Sequence, residues 1–296
     1  MKRTNLSIRS CPICGGGGKD IVFPYGTVFN KKHFSYIKCD SCRSVYVDPA
    51  PDSSTFELMY DKTNYHNVHY SDFNLSEYEA AINVLKKFLT VKQSTVLDYG
   101  CGMGFFLKLL SSSGFMATGV EFDNSAANHA AKYAKCQVLT TDVFNSNVSI
   151  DGFDCIHFGD VLEHLPDPYT IMHKTLKQLK VGGVLFVEGP LEINPSPVYY
   201  SALCFALLKH VFDKSISSSH APTHLFRVGA KQQINFFNRF DDLELQYWEV
   251  YDTGFPYSHG NFIKKLISKI SKFFSGKSFL NFIFGNRFRV VFIKKK

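Results

Sequence analysis

The chain has 296 residues, of which 45% are hydrophobic and 20% are charged, and its formal net charge at pH 7 is +7. This composition excludes an intrinsically disordered or collagen-like chain, and the length accommodates one large domain and a small one. The N-terminus has no apolar run of the secretory type, and no segment has the ~18 consecutive apolar residues that span a bilayer, so we expect a cytoplasmic protein.

Four of the eight cysteines form two Cys-x-x-Cys pairs near the N-terminus. Cys11 and Cys14 make the first pair, and Cys39 and Cys42 make the second. Two such turns deliver four thiolates to one tetrahedral ion and leave no open position. The pattern therefore predicts a structural zinc ribbon over residues 1–50. Two disulfides or a redox pair are the alternative, which the absence of a secretion signal disfavours.

A linker and then a regular alternation of elements follow the ribbon. Residues 51–93 are expected to form a helical linker, with helices at 53–60 and 75–89 that pack on the larger domain. Beyond residue 94, strands are expected at 95–99, 116–122, 153–158 and 183–188, and helices at 105–113, 125–133 and 169–179. This order predicts an α/β fold with a doubly wound, Rossmann-like and mostly parallel sheet, and a ligand at the carboxyl edge of its strands.

A glycine-rich turn follows the first strand of this alternation. Gly100, Gly102 and Gly104 alternate along the chain, two residues after Asp98. Such glycines let the backbone approach a ligand closely, and the next helix offers free N–H groups. A carboxylate at Asp98 would repel a pyrophosphate, so the turn favours a ligand with positive charge. A dinucleotide oxidoreductase with similar glycines is the alternative.

Two further acidic residues are placed to complete a nucleoside site. Glu121 ends the second strand, where a carboxylate can accept hydrogen bonds from both ribose hydroxyls. Asp142 follows the third segment of the alternation and can accept a hydrogen bond from an adenine amino group.

These motifs, together with residues 153–168, resemble the successive motifs of class I S-adenosylmethionine-dependent methyltransferases. The resemblance implies that Asp98 and the glycine backbone hold the methionine part and that Glu121 holds the ribose. It also implies that Phe122 contacts the adenine face and that Asp142 and Val143 contact the adenine edge. S-adenosylmethionine is therefore the expected cofactor, beside structural zinc.

The front of the chain is similar to zinc-ribbon methyltransferases, including deoxysugar C-methyltransferases and enzymes of surface-glycan gene clusters. The similarity covers residues 11–65 and includes Tyr60 and Tyr65. It implies a sugar or glycan precursor as the small-molecule acceptor. The chain is too short for the additional C-terminal domain of the deoxysugar enzymes, so methylation at oxygen is expected and methylation at carbon stays open. An RNA methyltransferase and a cofactor-binding scaffold without catalysis are the alternatives.

Two histidines are candidate general bases, with Glu188 as a third candidate. His164 follows the fourth strand, and His224 lies in a region that borders the acceptor pocket of similar methyltransferases. Asp160, Glu163 and His164 also resemble the Glu, Glu, His metal set of ubiquinone-type O-methyltransferases. A helix cap at Asp160, with Glu163 in the first turn, is favoured over a Mg²⁺ site.

Two insertions are expected in the methyltransferase domain at residues 94–296. Residues 190–229 are a candidate lid on the acceptor side. Residues 261–296 contain ten of the 33 basic residues and none of the 26 acidic ones. The rest of the chain therefore has 23 basic and 26 acidic residues, which disfavours a nucleic-acid-binding surface. Residues 261–284 form a basic amphipathic insertion, whose apolar stripe is expected to pack on the sheet domain. Peripheral docking to an anionic membrane or a lipid-linked glycan is the alternative.

Overall fold

The computed structural model describes residues 8–60, 75–89, 92, 94–146, 152–212 and 220–296. The N-terminal part is an antiparallel sheet of β1 (Gly18–Phe29), β2 (Lys32–Cys39) and β3 (Val45–Asp48). The two cysteine turns flank these strands, so the sheet brings both turns to one end. The predicted zinc-ribbon limits of 1–50 include residues 1–7, which lie outside the described residues.

Two helices lead from this sheet to the larger one. They are α1 (Ser53–Met59), which Asp52 caps by accepting the N–H of Thr55 at 3.0 Å, and α2 (Leu75–Phe88). These helices agree with the helical segments expected from the sequence. The predicted linker also includes residues 61–74, 90, 91 and 93, among them Tyr65, which lie outside the described residues.

The central sheet of the described residues has seven strands in the order β10-β13-β8-β7-β4-β5-β6. Its strands are β4 (Thr95–Tyr99), β5 (Met116–Glu121), β6 (Gln137–Thr140), β7 (Phe153–Gly159), β8 (Leu179–Pro190), β10 (Leu243–Tyr251) and β13 (Arg287–Lys294). Strands β4 to β8 are parallel, and β13 runs antiparallel between β8 and β10. The order reverses beside β4, so the predicted doubly wound, mostly parallel α/β fold is confirmed.

The described residues also contain seven further α-helices and one short hairpin. The helices are α3 (Phe105–Ser112), α4 (Asn124–Ala134), α5 (Thr141–Ser146), α6 (Pro168–Thr175), α7 (Pro197–Phe212), α8 (Ala230–Phe237) and α9 (Phe262–Phe274); the hairpin is β11 (Ser278–Phe279) with β12 (Phe282–Ile283). The central strands β4, β7 and β8 are almost continuously apolar because both of their faces are buried.

The N-terminal sheet and the larger domain share one core. A two-residue strand, β9 (Phe226–Arg227), pairs with β3 and becomes the fourth strand of the N-terminal sheet. Cys11 and Ile13 belong to the same buried cluster as the central strands, and Arg239 donates a 2.6 Å hydrogen bond to the Ile13 carbonyl. The expected domain limits of 1–50, 51–93 and 94–296 stay predictions, as does the lid at 190–229, which includes residues 213–219 outside the described part.

The apolar stripe of α9 is exposed, so the expectation that it packs on the sheet domain is wrong. Phe262 is 81% exposed and Phe273 is 67% exposed, whereas Ser268 and Ser271 are buried. The reason is the turn beneath the helix, because a Cβ atom at Gly254 would lie 2.0 Å from the Ser268 Oγ atom. Only small side chains fit at this close approach. No helix in the described ranges has the length and apolarity needed to cross a membrane.

Candidate active site

A cavity of about 310 Å³ opens at the carboxyl edge of β4 and β5. It brings together four of the residues predicted to bind the cofactor and one of the candidate bases, namely Gly100, Glu121, Phe122, Asp142 and His164. Gly102, Gly104, Asp98 and Val143 lie close by in sequence but outside the lining. The cavity therefore joins the predicted nucleoside site to the predicted acceptor side.

The glycine turn has a backbone conformation that other residues rarely adopt. Gly100 has a φ of +78°, and a Cβ atom there would lie 2.4 Å from a methyl group of Val161. Gly104 has a φ of +85°, and its Cβ atom would lie 2.8 Å from the Cα atom of Ala130 in α4. The turn can therefore pass close to both the cavity wall and the neighbouring helix only because these residues are glycines.

Glu121 is held rigidly at the end of β5. Its Oε2 atom accepts the N–H of Gly102 at 2.7 Å, and its Oε1 atom accepts the N–H groups of Phe122 and Asp123 at 2.8 and 3.1 Å. Burial raises the pKa of this carboxyl group, and the three N–H donors oppose that shift. A carboxylate has about four acceptor positions, so one position is left for a ligand hydroxyl.

Two of the three predicted adenine contacts, Phe122 and Asp142, line the same cavity. Asp142 lines the cavity from the first turn of α5, beside Val143, which is 43% exposed. Phe122 is 43% exposed, and its ring meets the ring of Phe56 edge to face at a centroid distance of 5.1 Å. An aromatic face and a carboxylate at one edge form a wall suited to a purine.

Asp98 lies beneath the glycine turn, in a buried row of alternating charges. Its Oδ1 atom is 2.7 Å from the Nδ1 atom of His157, whose Nε2 atom is 3.5 Å from Glu188. Arg289 donates a 2.6 Å hydrogen bond to the other oxygen of Glu188. Burial opposes protonation of His157, but the two carboxylates raise its pKa to about 9. Glu188, the third candidate base, is therefore engaged by Arg289, and binding of a cofactor by Asp98 stays a prediction.

We expect His157 to make stability depend on pH. Its pKa in the folded state lies above its value of 6.5 in the unfolded chain, so it contributes stability that is present below pH 6.5 and is lost as the pH rises through about 9. The parent should therefore be more stable than His157→Gln at low pH. This difference in the free energy of unfolding should shrink by up to about 1.4 kcal/mol per pH unit between pH 6.5 and about 9. Urea denaturation at several pH values measures it.

The exposed His173 of α6 offers the matched control for this prediction. His173→Gln should leave the pH dependence of the parent unchanged. Where His157→Gln does not fold, the imidazole titration of the parent can be followed by NMR. An imidazole of His157 that titrates at or below pH 6.5 would contradict the prediction.

His164 also lines the cavity. Its Nδ1 atom is 2.8 Å from the Thr223 carbonyl oxygen and 3.0 Å from the Tyr60 hydroxyl, which itself donates to that carbonyl at 2.8 Å. Because a carbonyl can only accept, the contact with Thr223 places the proton of a neutral imidazole on Nδ1. The Nε2 atom then keeps its lone pair and can accept a proton. Burial and the charge of His224 lower the pKa of His164 to about 3, so the ring is neutral at pH 7.

His224 is adjacent to His164 but has the opposite protonation state. The two rings meet edge to face at a centroid distance of 4.8 Å. The Nδ1 atom of His224 is 3.0 Å from a carboxylate oxygen of Glu192. Burial opposes the charge on His224, but Glu192 raises the pKa of His224 to about 9. Burial also opposes the charge on Glu192, but His224 and Arg227 lower the pKa of Glu192 to about 2. His224, whose side chain is 31% exposed, is therefore expected to carry a positive charge at pH 7.

Asp160 does not cap the short turn that follows it, and this expectation is wrong. Val161 occupies the capping position of the 3₁₀ turn Leu162–His164 and makes no side-chain capping bond. Asp160 instead accepts a 2.7 Å hydrogen bond from Arg287, because its φ of +54° turns the side chain toward β13. Burial and the neighbouring Asp160 raise the pKa of Glu163 to about 8, so that carboxyl group is protonated at neutral pH.

The Mg²⁺ set proposed as an alternative is not assembled. With Asp160 held by Arg287, the residues that offer three ligand atoms within 4.8 Å of one another are Glu163, His164 and His224. Two imidazoles and one carboxylate suit a transition metal better than Mg²⁺.

The four N-terminal cysteines form a second site, away from the cavity. The Sγ atoms of Cys11 and Cys42 are 3.7 Å apart, and those of Cys14 and Cys39 are 3.5 Å apart. All four sulfur atoms lie within 4.8 Å of one another. Sulfur atoms about 2.3 Å from a tetrahedral zinc ion are separated by about 3.8 Å, whereas a disulfide needs about 2.05 Å. The donor set fits one zinc ion, and the disulfide alternative does not fit.

Several contacts of the site have no signal in the sequence. Glu192, His157 and Arg287 are positioned by contacts between distant segments and belong to no short motif. Tyr60 belongs to the segment that resembles zinc-ribbon methyltransferases, but its contact with His164 spans 104 residues. The only available sign was the type of residue, because charged residues inside apolar strand patterns are rarely left unpaired.

Comparisons with known proteins identify the class. Residues 73–241, more than half of the chain, match the methyltransferase domain family, and the chain belongs to that family. Ubiquinone biosynthesis O-methyltransferases of Coxiella burnetii and Hydrogenovibrio crunogenus are similar to it. The first is 31% identical over 110 residues, covering 36% of this chain and 47% of the relative; the second is 28% identical over 115 residues, covering 36% and 46%. The chain thus spans about half the length of these relatives.

A solved structure supports the fold alone. The [4+2]-cyclase SpnF aligns with a TM-score of 0.53 and 16% identity, covering 83% of this chain and 98% of that chain. SpnF is a cyclase, so the fold by itself does not determine the reaction.

Proposed function

We propose that the protein is an S-adenosylmethionine-dependent methyltransferase that transfers a methyl group to an oxygen of a sugar or glycan precursor. The main support for this proposal is that one cavity is lined both by residues predicted to bind the cofactor, namely Gly100, Glu121, Phe122 and Asp142, and by the candidate base His164. Membership of the methyltransferase domain family supports the reaction. The proposal also includes a structural zinc ion in the cysteine cluster and binding of S-adenosylmethionine by the residues predicted from the sequence.

The walls of the cavity suit the parts of this cofactor. S-adenosylmethionine supplies a methyl group on a positively charged sulfur atom. The free acceptor position of Glu121 suits a ribose hydroxyl, and Phe122 and Asp142 suit the face and the amino group of adenine. The buried Asp98 contributes negative charge beneath the glycine turn, although His157 offsets it.

His164 and its neighbours suit deprotonation of a hydroxyl. In an in-line displacement the acceptor oxygen forms a bond to the methyl carbon while the carbon–sulfur bond breaks and its electron pair stays on sulfur. The hydroxyl proton moves to the Nε2 atom of His164, whose Nδ1–H is held by the Thr223 carbonyl. His224 lies outside the lining of the cavity, but its ring, which pairs with Glu192, is at a centroid distance of 4.8 Å from the His164 ring, and its positive charge favours a negatively charged acceptor oxygen nearby.

The acceptor class rests on two arguments. The similar curated proteins are named O-methyltransferases, which favours oxygen as the receiving atom. The resemblance of the N-terminal segment to glycan-cluster methyltransferases favours a sugar. Arg227, which lies 3.7 Å from Glu192 beside His224, adds positive charge suited to a phosphate of a sugar carrier.

The test is calorimetric titration with S-adenosylmethionine and with NAD, followed by an assay for S-adenosylhomocysteine with panels of nucleotide sugars, glycolipids and RNA. We expect binding of S-adenosylmethionine alone and turnover on a sugar panel. Turnover on RNA would show that the acceptor is RNA and not a sugar or glycan precursor. Binding without turnover on any panel would support a non-catalytic scaffold, and no binding by folded protein would overturn the proposal.

We expect Glu121→Gln to weaken binding of S-adenosylmethionine by about tenfold to a hundredfold, because a charge-assisted hydrogen bond contributes about 1.5–3 kcal/mol. The amide would also point N–H groups at the N–H donors of Gly102 or Phe122. Calorimetry measures the affinity. Glu244→Gln, at an exposed position of β10, is the control and should bind as the parent does. Unchanged affinity in Glu121→Gln would mean that the ribose lies elsewhere.

A further inference from the structure

The helix α9, the β11–β12 hairpin and the adjacent helix α7 expose large apolar side chains on one side of the molecule. We call this the apolar-basic surface. Its exposed members include Phe205, Phe212, Phe262, Phe273, Phe279 and Leu280, which are 53%, 88%, 81%, 67%, 65% and 74% exposed. Helices α7 and α9 lie side by side. Exposed apolar patches of this kind are typical of surfaces that bind a membrane or another protein.

The orientation of α9 reverses the usual pattern of a surface helix. Amphipathic helices of globular proteins bury their apolar stripe and expose their polar residues. In α9 the buried residues are Ser268 and Ser271, and Ser271 donates a 2.6 Å hydrogen bond to Asp252. Polar contacts to the turn beneath it therefore fix the helix, and its apolar stripe is free to enter an external phase.

The positive charge of the apolar-basic surface favours a negatively charged lipid surface as its partner. Lys264, Lys265, Lys269 and Lys272 lie on α9, Lys277 follows it, and no acidic residue occurs from residue 253 to the C-terminus. Lys265 and Lys269 are one turn apart at the margin of the apolar stripe, where their long stems can extend along a lipid interface. Against a second copy of this chain, the same lysines would repel one another. Anionic lipid headgroups would neutralise them, at about 1 kcal/mol for each lysine near the surface.

The apolar-basic surface projects from the same edge of the central sheet as the cavity. Pro190 ends the parallel strand β8 opposite Arg287, the first residue of β13, so residues 252–286 extend from the carboxyl edge. Arg287 also binds Asp160, which lines the cavity. The amide of Asn194 donates hydrogen bonds of 2.8 Å to the carbonyls of Ile283, the last residue of β12, and Gly285. Asn194 is two residues from the Glu192 that pairs with His224.

We propose that the apolar-basic surface seats the protein on an anionic lipid bilayer, so that an acceptor carried on a lipid reaches the cavity from the membrane. The binding part stands on the surface alone. The acceptor part rests on the proposed function and specifies it, because a sugar precursor attached to a lipid phosphate would present its headgroup at the edge where His164 and His224 lie. The helices lie in the interface and do not cross it, as their length requires.

The experiment is vesicle flotation of the full chain with two kinds of vesicle, pure phosphatidylcholine and phosphatidylcholine with about 30 mol% phosphatidylglycerol. We expect at least about tenfold stronger partitioning onto the anionic vesicles, weakened by salt. The double variant Phe262→Ser with Phe273→Ser should lower partitioning by about tenfold or more, because each ring removes apolar burial. Lys265→Glu with Lys269→Glu should lower it comparably and only on anionic vesicles.

The matched control is Met116→Ser with Val181→Ser, which removes two side chains that are 58% and 69% exposed at the opposite edge of the sheet. It should float as the parent does. Circular dichroism verifies that every variant is folded. Equal partitioning onto both vesicles, no partitioning by folded parent, or an equal loss in the control would overturn the proposal. A dimer in sedimentation velocity that Phe262→Ser with Phe273→Ser dissociates, without vesicle binding, would assign the surface to a second copy and would also overturn it.

The acceptor part has a separate readout. With a polyprenyl phosphosugar in anionic vesicles, Phe262→Ser with Phe273→Ser should raise KM by about tenfold and leave kcat unchanged, since these residues lie outside the cavity. Its affinity for S-adenosylmethionine should equal that of the parent. Failure of vesicle binding with intact cofactor binding overturns only this inference. If the parent does not bind the cofactor, the proposed function fails and the acceptor part fails with it, whereas the vesicle-binding part is still tested by flotation.

Discussion

Replacing Cys39 with serine is expected to remove bound zinc and to unfold the N-terminal sheet. Cys39 is completely buried, and its sulfur atom lies 3.5 Å from that of Cys14. Serine is a poor ligand for zinc in a four-sulfur site, and binding of structural zinc contributes on the order of 10 kcal/mol to folding. The loss should spread to the catalytic domain, because Cys11 and Ile13 share its core. Elemental analysis and thermal denaturation measure the two effects.

Two other cysteines provide controls that separate metal binding from burial. Cys155 in β7 is completely buried and lies in the central sheet, and Cys204 in α7 is exposed. Cys155→Ser should keep one zinc ion per chain and lose about 1–3 kcal/mol of stability, because a buried hydroxyl replaces a thiol. Cys204→Ser should change neither quantity. Retention of one zinc ion per chain by Cys39→Ser would refute the assignment of this site.

The features that the sequence predicts well are those in which neighbouring residues act together. The spacing of Cys11 and Cys14 already fixes both sulfur atoms on one turn, and the alternate glycines from Gly100 to Gly104 fix a turn that approaches a ligand. The parallel sheet is equally local in origin, because its buried strands are continuous apolar runs separated by helical segments. Each of these patterns is complete within a few residues, so the chain needs no distant partner to display it.

The features that the sequence misses depend on which distant segments meet. The sequence singles out His164 and His224 separately, but only the fold shows that Glu192 pairs with His224 and raises its pKa, whereas burial and His224 lower the pKa of His164. The orientation of α9 was missed for a related reason. An amphipathic pattern indicates that one face is apolar, whereas the space left beside Gly254 determines which face turns inward.

His164→Gln is expected to lower kcat by about a hundredfold on the acceptor that the panels identify, which is the low end of what a positioned general base contributes, because its lowered pKa makes His164 a weak base. Glutamine can still occupy the space beside the Thr223 carbonyl, but it has no nitrogen lone pair that accepts a proton. The affinity for S-adenosylmethionine should stay within about threefold of the parent. His173→Gln, at an exposed position on α6, should leave kcat unchanged.

A second variant distinguishes a base from a residue that only fills space. Burial and the charge of His224 lower the pKa of His164 to about 3, so the parent should show no loss of kcat on the acid side down to about pH 5. His224→Gln removes that charge, and the pKa of His164 should rise toward 6.5. A new acid limb should then appear in the pH profile of His224→Gln as His164 takes up a proton. If His164→Gln keeps full kcat, or if the profile of His224→Gln shows no such limb, His164 does not accept the proton, and the base must be sought in the substrate or in solvent.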